Sequence, residues 1–208
     1  MPHYLTSYAL IIMIICFPKA TQLKSRIILF ALVLIAGFVY ASVRQVYSVK
    51  SSKVIFKSVA ELETITAEST TLTGLVDPTN KNFAFSISNK SFDGFNSSLQ
   101  KEHFNDNYIE SDKYPTTTFT GRIIDEIDFK KPGTYVIRVK GMFKVKGVTK
   151  EELIKGTIDV TPSGLKLNTN FSLLLSDYEI RVPRIVNQKI APEIKITIQA
   201  NLVLTTIK

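Results

Sequence analysis

The chain has 208 residues, of which 45% are hydrophobic and 21% charged, which fits one globular domain with a substantial core and an N-terminal extension. The formal charge of +8 could indicate nucleic-acid binding, but residues 1–53 hold six basic and no acidic residues, which leaves 20 basic against 18 acidic residues, a net of +2, in the remainder. Much of the positive charge therefore flanks apolar segments, and we expect no nucleic-acid partner.

Two apolar runs open the chain. The first extends from Tyr4 to Phe17, and the second covers residues 27–39, with Lys24 and Arg26 before it and the small residue Ala41 after it. A basic segment, an apolar core of about a dozen residues and a small residue at the exit are typical of a secretory signal. Both runs are shorter than the ~20 residues of a comfortable transmembrane helix.

We therefore divide the chain into residues 1–41, a signal peptide cleaved after Ala41, and residues 42–208, an exported domain. The alternative is that residues 1–41 remain as a membrane anchor and make the only membrane contact. The single cysteine, Cys16, lies in the first apolar run. The domain therefore has no cysteine for a disulfide, a metal site or a nucleophile.

After Lys53, apolar residues recur at every second position, which is typical of half-buried strands. About eight such strands with turn residues between them predict an all-β sandwich or a closed barrel. Residues 97–104 are the best helical candidate. The apolar positions of the strands are Val54 and Phe56; Ile65, Ala67, Leu72, Gly74 and Val76, with a bulge in the middle; Phe83, Phe85 and Ile87; Phe119 and Ile123; Tyr135, Ile137, Val139, Phe143 and Val145; Ile154, Ile158 and Val160; Leu165, Leu167, Phe171, Leu173 and Leu175; and Ile194, Ile196, Ile198, Ala200, Leu202 and Leu204.

Two motifs lie in the middle of the domain. The first is a Tyr-Pro corner, in which Pro115 starts a strand because it has no N–H to give to the ladder. The second ends the long strand in a Gly-Val-Thr turn. Their residues are Lys113, Tyr114, Pro115 and Phe119, then Gly141, Phe143, Val145, Gly147, Val148, Thr149 and Lys150, with His103, Phe104 and Ser111 leading in.

In this order and spacing the motifs resemble the YceI-like family, from about Val54 to Leu204. The resemblance implies an antiparallel lipocalin-like barrel that encloses an apolar tunnel, and some members bind long polyisoprenoid lipids. It also implies a periplasmic or secreted protein. With an uncleaved N-terminal segment, the domain would instead be anchored on the outer side of the cytoplasmic membrane.

Residues on the apolar strand faces would line such a tunnel, although a packed core has the same pattern. Small residues on these faces, at Gly74, Gly141, Gly156, Thr169 and Ala200, favour a cavity, because a glycine within a strand often marks the close approach of a ligand or a bend. In the loop before the last strand, Arg181 and Arg184 are expected at the tunnel mouth. The predicted lining is Phe83, Phe85, Phe119, Val139, Gly141, Phe143, Phe171, Leu173, Ile196 and Ile198.

Catalytic chemistry is not expected. The domain has one histidine, His103, which we interpret as a helix-surface or capping residue. Carboxylates cluster at residues 125–128 and at Glu151 and Glu152, but adjacent strand residues point to opposite faces, so neither neighbouring pair serves one substrate. We predict no catalytic residue, metal ion or cofactor. The expected function is carriage of an amphiphile with a long apolar tail, of the polyisoprenoid or isoprenoid quinone type. The alternative is a packed barrel that serves the cell envelope as an interaction or structural module.

Overall fold

The structure is a computed structural model that describes residues 44–207. The predictions for residues 1–41 lie outside these described residues. Within residues 44–207, no helix is both long and apolar enough to cross a membrane. The strands there are β1 (Arg44–Val59), β2 (Thr64–Ser69), β3 (Thr73–Val76), β4 (Asn82–Ser88), β5 (Thr116–Ile123), β6 (Gly133–Val145), β7 (Val148–Thr161), β8 (Gly164–Leu174) and β9 (Glu193–Ile207).

These strands form one antiparallel sheet that closes on itself through β1 and β9. β2 and β3 both pair with β1, one along its second half and the other along its first half. They therefore share one strand position, interrupted at the bulge that the sequence predicts, and the sheet is an eight-stranded barrel. Closure leaves few free edges and encloses an interior. The prediction of an all-β, lipocalin-like barrel is confirmed.

One end of the barrel is packed shut. This closed end is where β1 starts and β9 ends, and where β5 turns back into β6. Phe129 is buried there, and its ring stacks on Tyr47 with the centroids 5.8 Å apart. Val160, Leu165 and Leu202 are also buried at this end. The interior is therefore a filled core near the closed end.

The opposite end is covered by connecting segments instead of packed strands. A short helix, α1 (Ser98–His103), continues into a wider turn at Phe104–Tyr108. Ser97 caps α1 through its Oγ, which accepts a hydrogen bond from the Gln100 N–H at 3.2 Å, as N-cap residues do. The helix predicted at residues 97–104 is thus confirmed, and it lies over this end.

The first strand differs from the prediction. β1 begins at Arg44, ten residues before Val54. Its early half, with Lys50 exposed among small polar residues, lacks a clean apolar alternation. Pairing with β9 holds it in the sheet, through a register that shifts once between Val49 and Ser51. Tertiary pairing therefore extends a strand that the local pattern does not reveal.

Candidate functional site

The barrel encloses a cavity of about 580 Å³. Its wall is built mainly from the inward side chains of the strands, which are apolar because period-two alternation puts every second residue inside. Towards the closed end the cavity extends past Val139 to Ile137 and Ile158, and the buried Val160, Leu165 and Leu202 do not line it. A cavity of this size lies within the usual range of ligand sites, about 300–1,000 Å³.

Nine of the ten predicted lining residues lie on this wall. Along one side, aromatic rings follow one another across neighbouring strands, because Phe85 is paired with Phe119, and Phe119 with Phe143. Centroid distances are 5.4 Å for the latter pair and 6.0 Å from Phe143 to Phe171. The nine residues are Phe83, Phe85, Phe119, Val139, Phe143, Phe171, Leu173, Ile196 and Ile198.

Gly141 is the exception, and the interpretation of it as space for a ligand is wrong. It lies opposite Gly121 in the β5–β6 pair. A Cβ built on Gly141 would be 2.3 Å from the Thr120 carbonyl oxygen and 2.9 Å from the Cα of Gly121. The missing side chain therefore makes room for the backbone of β5, as at a tight barrel corner.

A second group of aromatic residues was missed by sequence analysis. Phe92, Phe95 and Phe104 come from the segment between β4 and β5 and surround Phe56 of β1, with centroid distances of 5.2–5.8 Å. All four line the cavity. The segment has no strand alternation that would mark an inner face. Its density of phenylalanines is the one signal that could have identified it.

The cavity opens between α1, the β1–β2 turn and the loop at residues 184–190, which together form its mouth. Polar groups concentrate here. One carboxylate oxygen of Glu63 accepts hydrogen bonds from the side-chain amides of Gln100, at 2.6 Å, and Asn96, at 2.9 Å. These bonds, chiefly the one from Asn96, lower the pKa of Glu63, and the positive charge of Lys189 adds a smaller effect. His103, the last residue of α1, also lines the cavity and is exposed.

Neither of the two arginines predicted at the mouth lines the cavity. Arg181 borders a separate small polar pocket with Glu110, Tyr114 and Lys146. Arg184 is exposed and does not line the cavity. The basic residue of this loop that does line the cavity is Lys189. The loop contains a short turn at Arg184–Val186, and this turn sets which side chains face inward.

Beside the mouth, a buried tyrosine closes part of the same end. Tyr178 is 1% exposed, and its hydroxyl donates a hydrogen bond to Glu152 Oε1 at 2.8 Å. Burial, together with the neighbouring carboxylate, raises the pKa of Tyr178. Glu152 is therefore half-buried on the inner face, whereas Glu151 faces outward to Lys140 at 3.1 Å. The two carboxylates do point apart, but Glu152 is not a freely solvated residue as predicted.

The cavity and its mouth offer a site for an apolar chain with a polar end. Among residues 44–207, no group of three or more histidine, cysteine, aspartate or glutamate side chains could hold a metal ion. At the mouth, Glu63 is bonded to amide groups that cannot act as nucleophiles or bases. What the site can do chemically is remove an apolar chain from water and leave a polar end near Glu63, Gln100 and Lys189.

A closed antiparallel barrel with one packed end and an apolar cavity open at the other is a lipocalin-like fold. Residues 44–202 match the model of the YceI-like domain. The chain therefore belongs to the YceI-like family, as its central motifs indicate. No curated protein is similar enough in sequence to match it.

Solved structures share this fold at low sequence identity. A polyisoprenoid binding domain from Saccharophagus degradans superposes with a TM-score of 0.66 at 14% identity, covering 76% of this chain and 98% of that one. BcnA of Burkholderia cenocepacia gives 0.60 at 17% identity, with 74% and 96% covered. The YCEI protein of Campylobacter jejuni gives 0.50 at 19% identity, with 66% and 81% covered. At these identities the likeness establishes the fold alone.

Proposed function

We propose that this protein binds one molecule of a lipid with a long apolar chain, of the polyisoprenoid or isoprenoid quinone type, inside its barrel. The observation that carries the proposal is the cavity of about 580 Å³, which is lined mainly by apolar side chains. Burial of each methylene group contributes about 0.8 kcal/mol. A chain of a few isoprene units therefore gains enough to be held tightly.

The shape of the cavity supports a single-chain ligand with a polar end. The packed residues near Phe129 close one end, so the ligand enters and leaves at the mouth. There, Lys189, Gln100 and Glu63 line the opening and remain in contact with water. The tail then lies along the phenylalanine wall, and the polar end stays among these residues. The Saccharophagus degradans domain that shares this fold is a polyisoprenoid binding domain, which supports this assignment.

The alternative of a packed barrel without a ligand fits the structure less well. A packed interior would interdigitate with few voids larger than a water molecule, whereas this barrel is packed only near its closed end. We further propose that the protein acts as a carrier without catalysis, since its conspicuous polar groups at the mouth are already engaged with one another.

We propose that the protein acts outside the cytoplasm, in the periplasm or secreted, because a signal-like segment precedes the barrel. The test is N-terminal sequencing of protein from the native cell. We expect a mature chain that begins at Ser42. Recovery of an intact segment 1–41 in the membrane fraction would support the anchored form instead.

Native mass spectrometry of the protein purified from its native host tests the binding function. We expect a mass increment that corresponds to one lipid per chain, which is lost on denaturation and identified in the extract as a long apolar chain. A protein that carries no lipid, and takes up neither a long-chain prenol nor a quinone when these are supplied, would overturn the proposal.

A further inference from the structure

Exposed apolar side chains surround the mouth of the cavity. Val59, Leu62, Leu99, Leu174 and Ile185 are all largely exposed, and Ile185, at 92%, is the most exposed of the large apolar residues in the described part of the chain. We call these five residues the apolar rim. An isolated exposed leucine needs no explanation, but a group around the opening of an apolar cavity indicates a contact surface.

The rim residues come from separate segments that the structure ties together. The Leu62 N–H donates to the Gln188 carbonyl at 2.8 Å, which joins the β1–β2 turn to the loop at residues 184–190. Glu63 is bonded to Gln100, which joins the same turn to α1. The Ala191 N–H donates to the buried Ser58 Oγ at 2.8 Å. The apolar side chains are therefore presented around one opening on a connected frame.

The rim is continuous with the cavity. Leu99 and Leu174 belong to both, since each is about half exposed and also lines the cavity. An apolar chain that leaves the cavity would therefore pass over apolar side chains before it met water. This continuity favours a partner that itself offers an apolar phase.

The charge on one side of the rim narrows the choice of partner. Residues 184–190, the loop that borders the mouth, contain Arg184 and Lys189 and no acidic residue, and both of these residues and Ile185 are exposed. Arg181 lies instead in the polar pocket with Glu110 and Glu179. A segment that combines basic side chains with a fully exposed apolar one complements an anionic bilayer, in which the apolar residue enters the interface and the basic residues meet lipid phosphates. Acidic residues at the mouth, such as Glu61 and Glu102, lie on the turn and on α1.

We propose that the apolar rim docks on the surface of an anionic phospholipid bilayer, with the loop at residues 184–190 inserted first, so that a lipid chain passes between bilayer and cavity without crossing water. The proposal deepens the proposed function and rests on it. It assigns the rim as the docking site and Ile185 as the residue that enters the interface.

Site-specific fluorescence on the full chain tests the docking. With Cys16→Ser to remove the only native thiol, a solvatochromic dye is attached to Ile185→Cys or to Val136→Cys. Val136 is the matched control because it is 76% exposed and apolar but lies near the closed end. With vesicles of phosphatidylcholine and phosphatidylglycerol, we expect a blue shift at position 185 and none at position 136. Because the two labelled proteins share the same N-terminal segment, membrane attachment by that segment alone cannot produce this difference.

Charge variants test the choice of lipid. Arg184→Gln should weaken the response to anionic vesicles about fivefold, since a basic residue near such a surface contributes about 1 kcal/mol. Lys130→Gln removes the same charge at the closed end, where Lys130 is exposed, and should change the response little. An equal response to pure phosphatidylcholine vesicles would overturn the anionic assignment.

The docking proposal and the binding function can fail separately. No shift at position 185, or equal shifts at both positions, overturns the docking proposal. If the same labelled protein still carries lipid by mass spectrometry, the binding function stands and lipid must arrive by another route. If the protein never carries lipid, the binding function itself fails.

Discussion

Gly141 lies directly opposite Gly121, and the backbones of β5 and β6 approach so closely there that a Cβ on Gly141 would be 2.3 Å from the Thr120 carbonyl oxygen. The pair lets the barrel wall bend sharply beside the row of phenylalanines. It contributes to the shape of the cavity without lining it. From sequence alone, Gly141→Phe would be expected to fill the lipid space in an intact barrel, and the structure reverses that expectation.

We therefore predict that Gly141→Ala destabilises the barrel by about 1–3 kcal/mol or more, the usual cost of overpacking, because a backbone oxygen cannot move aside as a flexible side chain can. Chemical denaturation measures the free energy of unfolding. The control is Met142→Ala, the next residue, whose exposed side chain should matter by less than about 0.5 kcal/mol. An unfolding free energy for Gly141→Ala equal to that of the control would contradict the close approach.

The comparison of the predicted and the observed role of Gly141 shows what can and cannot be predicted from the sequence. The alternation in β6 identifies its inner face, because side-chain direction follows directly from period two. A glycine on that face signals a close approach, but the approaching group is a ligand in one case and a backbone in another. The answer depends on register, and the pairing of Gly141 with Gly121 is a long-range property that no local pattern encodes.

The residues that the loops contribute to the site were harder to predict, because no local pattern encodes the direction of their side chains. Arg181 and Arg184 were predicted at the mouth, but neither lines the cavity, and Lys189, which follows the turn at Arg184–Val186, does so instead. Phe92 and Phe95 were missed because their segment is neither strand nor helix. Strand periodicity therefore predicts most of the wall, whereas the mouth depends on backbone turns that the sequence does not specify.

Tyr178 should make stability depend on alkaline pH. Its phenol has a pKa above the ordinary value of 10.0, so the neutral form is favoured by folding. The contribution of the neutral phenol to the free energy of unfolding is complete below about pH 10. It is lost as the pH rises further towards the pKa of Tyr178 in the folded protein. Tyr178→Phe removes this dependence, and we expect the difference in unfolding free energy between wild type and variant to shrink above pH 10. A constant difference up to pH 11 would contradict the assignment.

At neutral pH, Tyr178→Phe should cost about 1–2 kcal/mol, because the half-buried Glu152 carboxylate loses its 2.8 Å hydrogen bond. The matched control is Tyr135→Phe. The Tyr135 hydroxyl donates to the Lys131 carbonyl at 3.0 Å in an exposed position, where water can replace it. We expect the control to cost less than Tyr178→Phe, and a reversed order would contradict the role of the buried bond.

The hydrogen bonds that Glu63 accepts from Asn96 and Gln100 should hold the β1–β2 turn against α1 down to acidic pH. Its pKa lies below the ordinary value of 4.5 because amide groups of Asn96 and Gln100 stabilise the charged form. Because the pKa is lowered in the folded protein, the charged Glu63 side chain contributes to the free energy of unfolding above pH 4.5. This contribution is lost as the pH falls through the pKa of Glu63 in the folded protein. An NMR titration of the Glu63 carboxyl carbon should show this lowered pKa. Asn96→Ala should raise it, and a value at or above 4.5 in the wild type would contradict the bonded mouth.

A pair of matched substitutions tests whether an apolar chain occupies the open part of the barrel. Val139 lines the cavity, whereas Val160 is buried in the packed closed end. Both lie on inner faces of adjacent strands, and each is changed to phenylalanine. The measurement is lipid per chain by native mass spectrometry, together with the unfolding free energy of the lipid-free protein.

For Val139→Phe, we predict a loss of bound lipid with little change in the free energy of unfolding, since the added ring fills existing space. For Val160→Phe, we predict that overpacking lowers the free energy of unfolding by about 1–3 kcal/mol, and that the molecules that fold still bind lipid. If Val139→Phe instead destabilises the protein as much as Val160→Phe and leaves bound lipid unchanged, the ligand does not lie in this cavity and the proposed function is wrong.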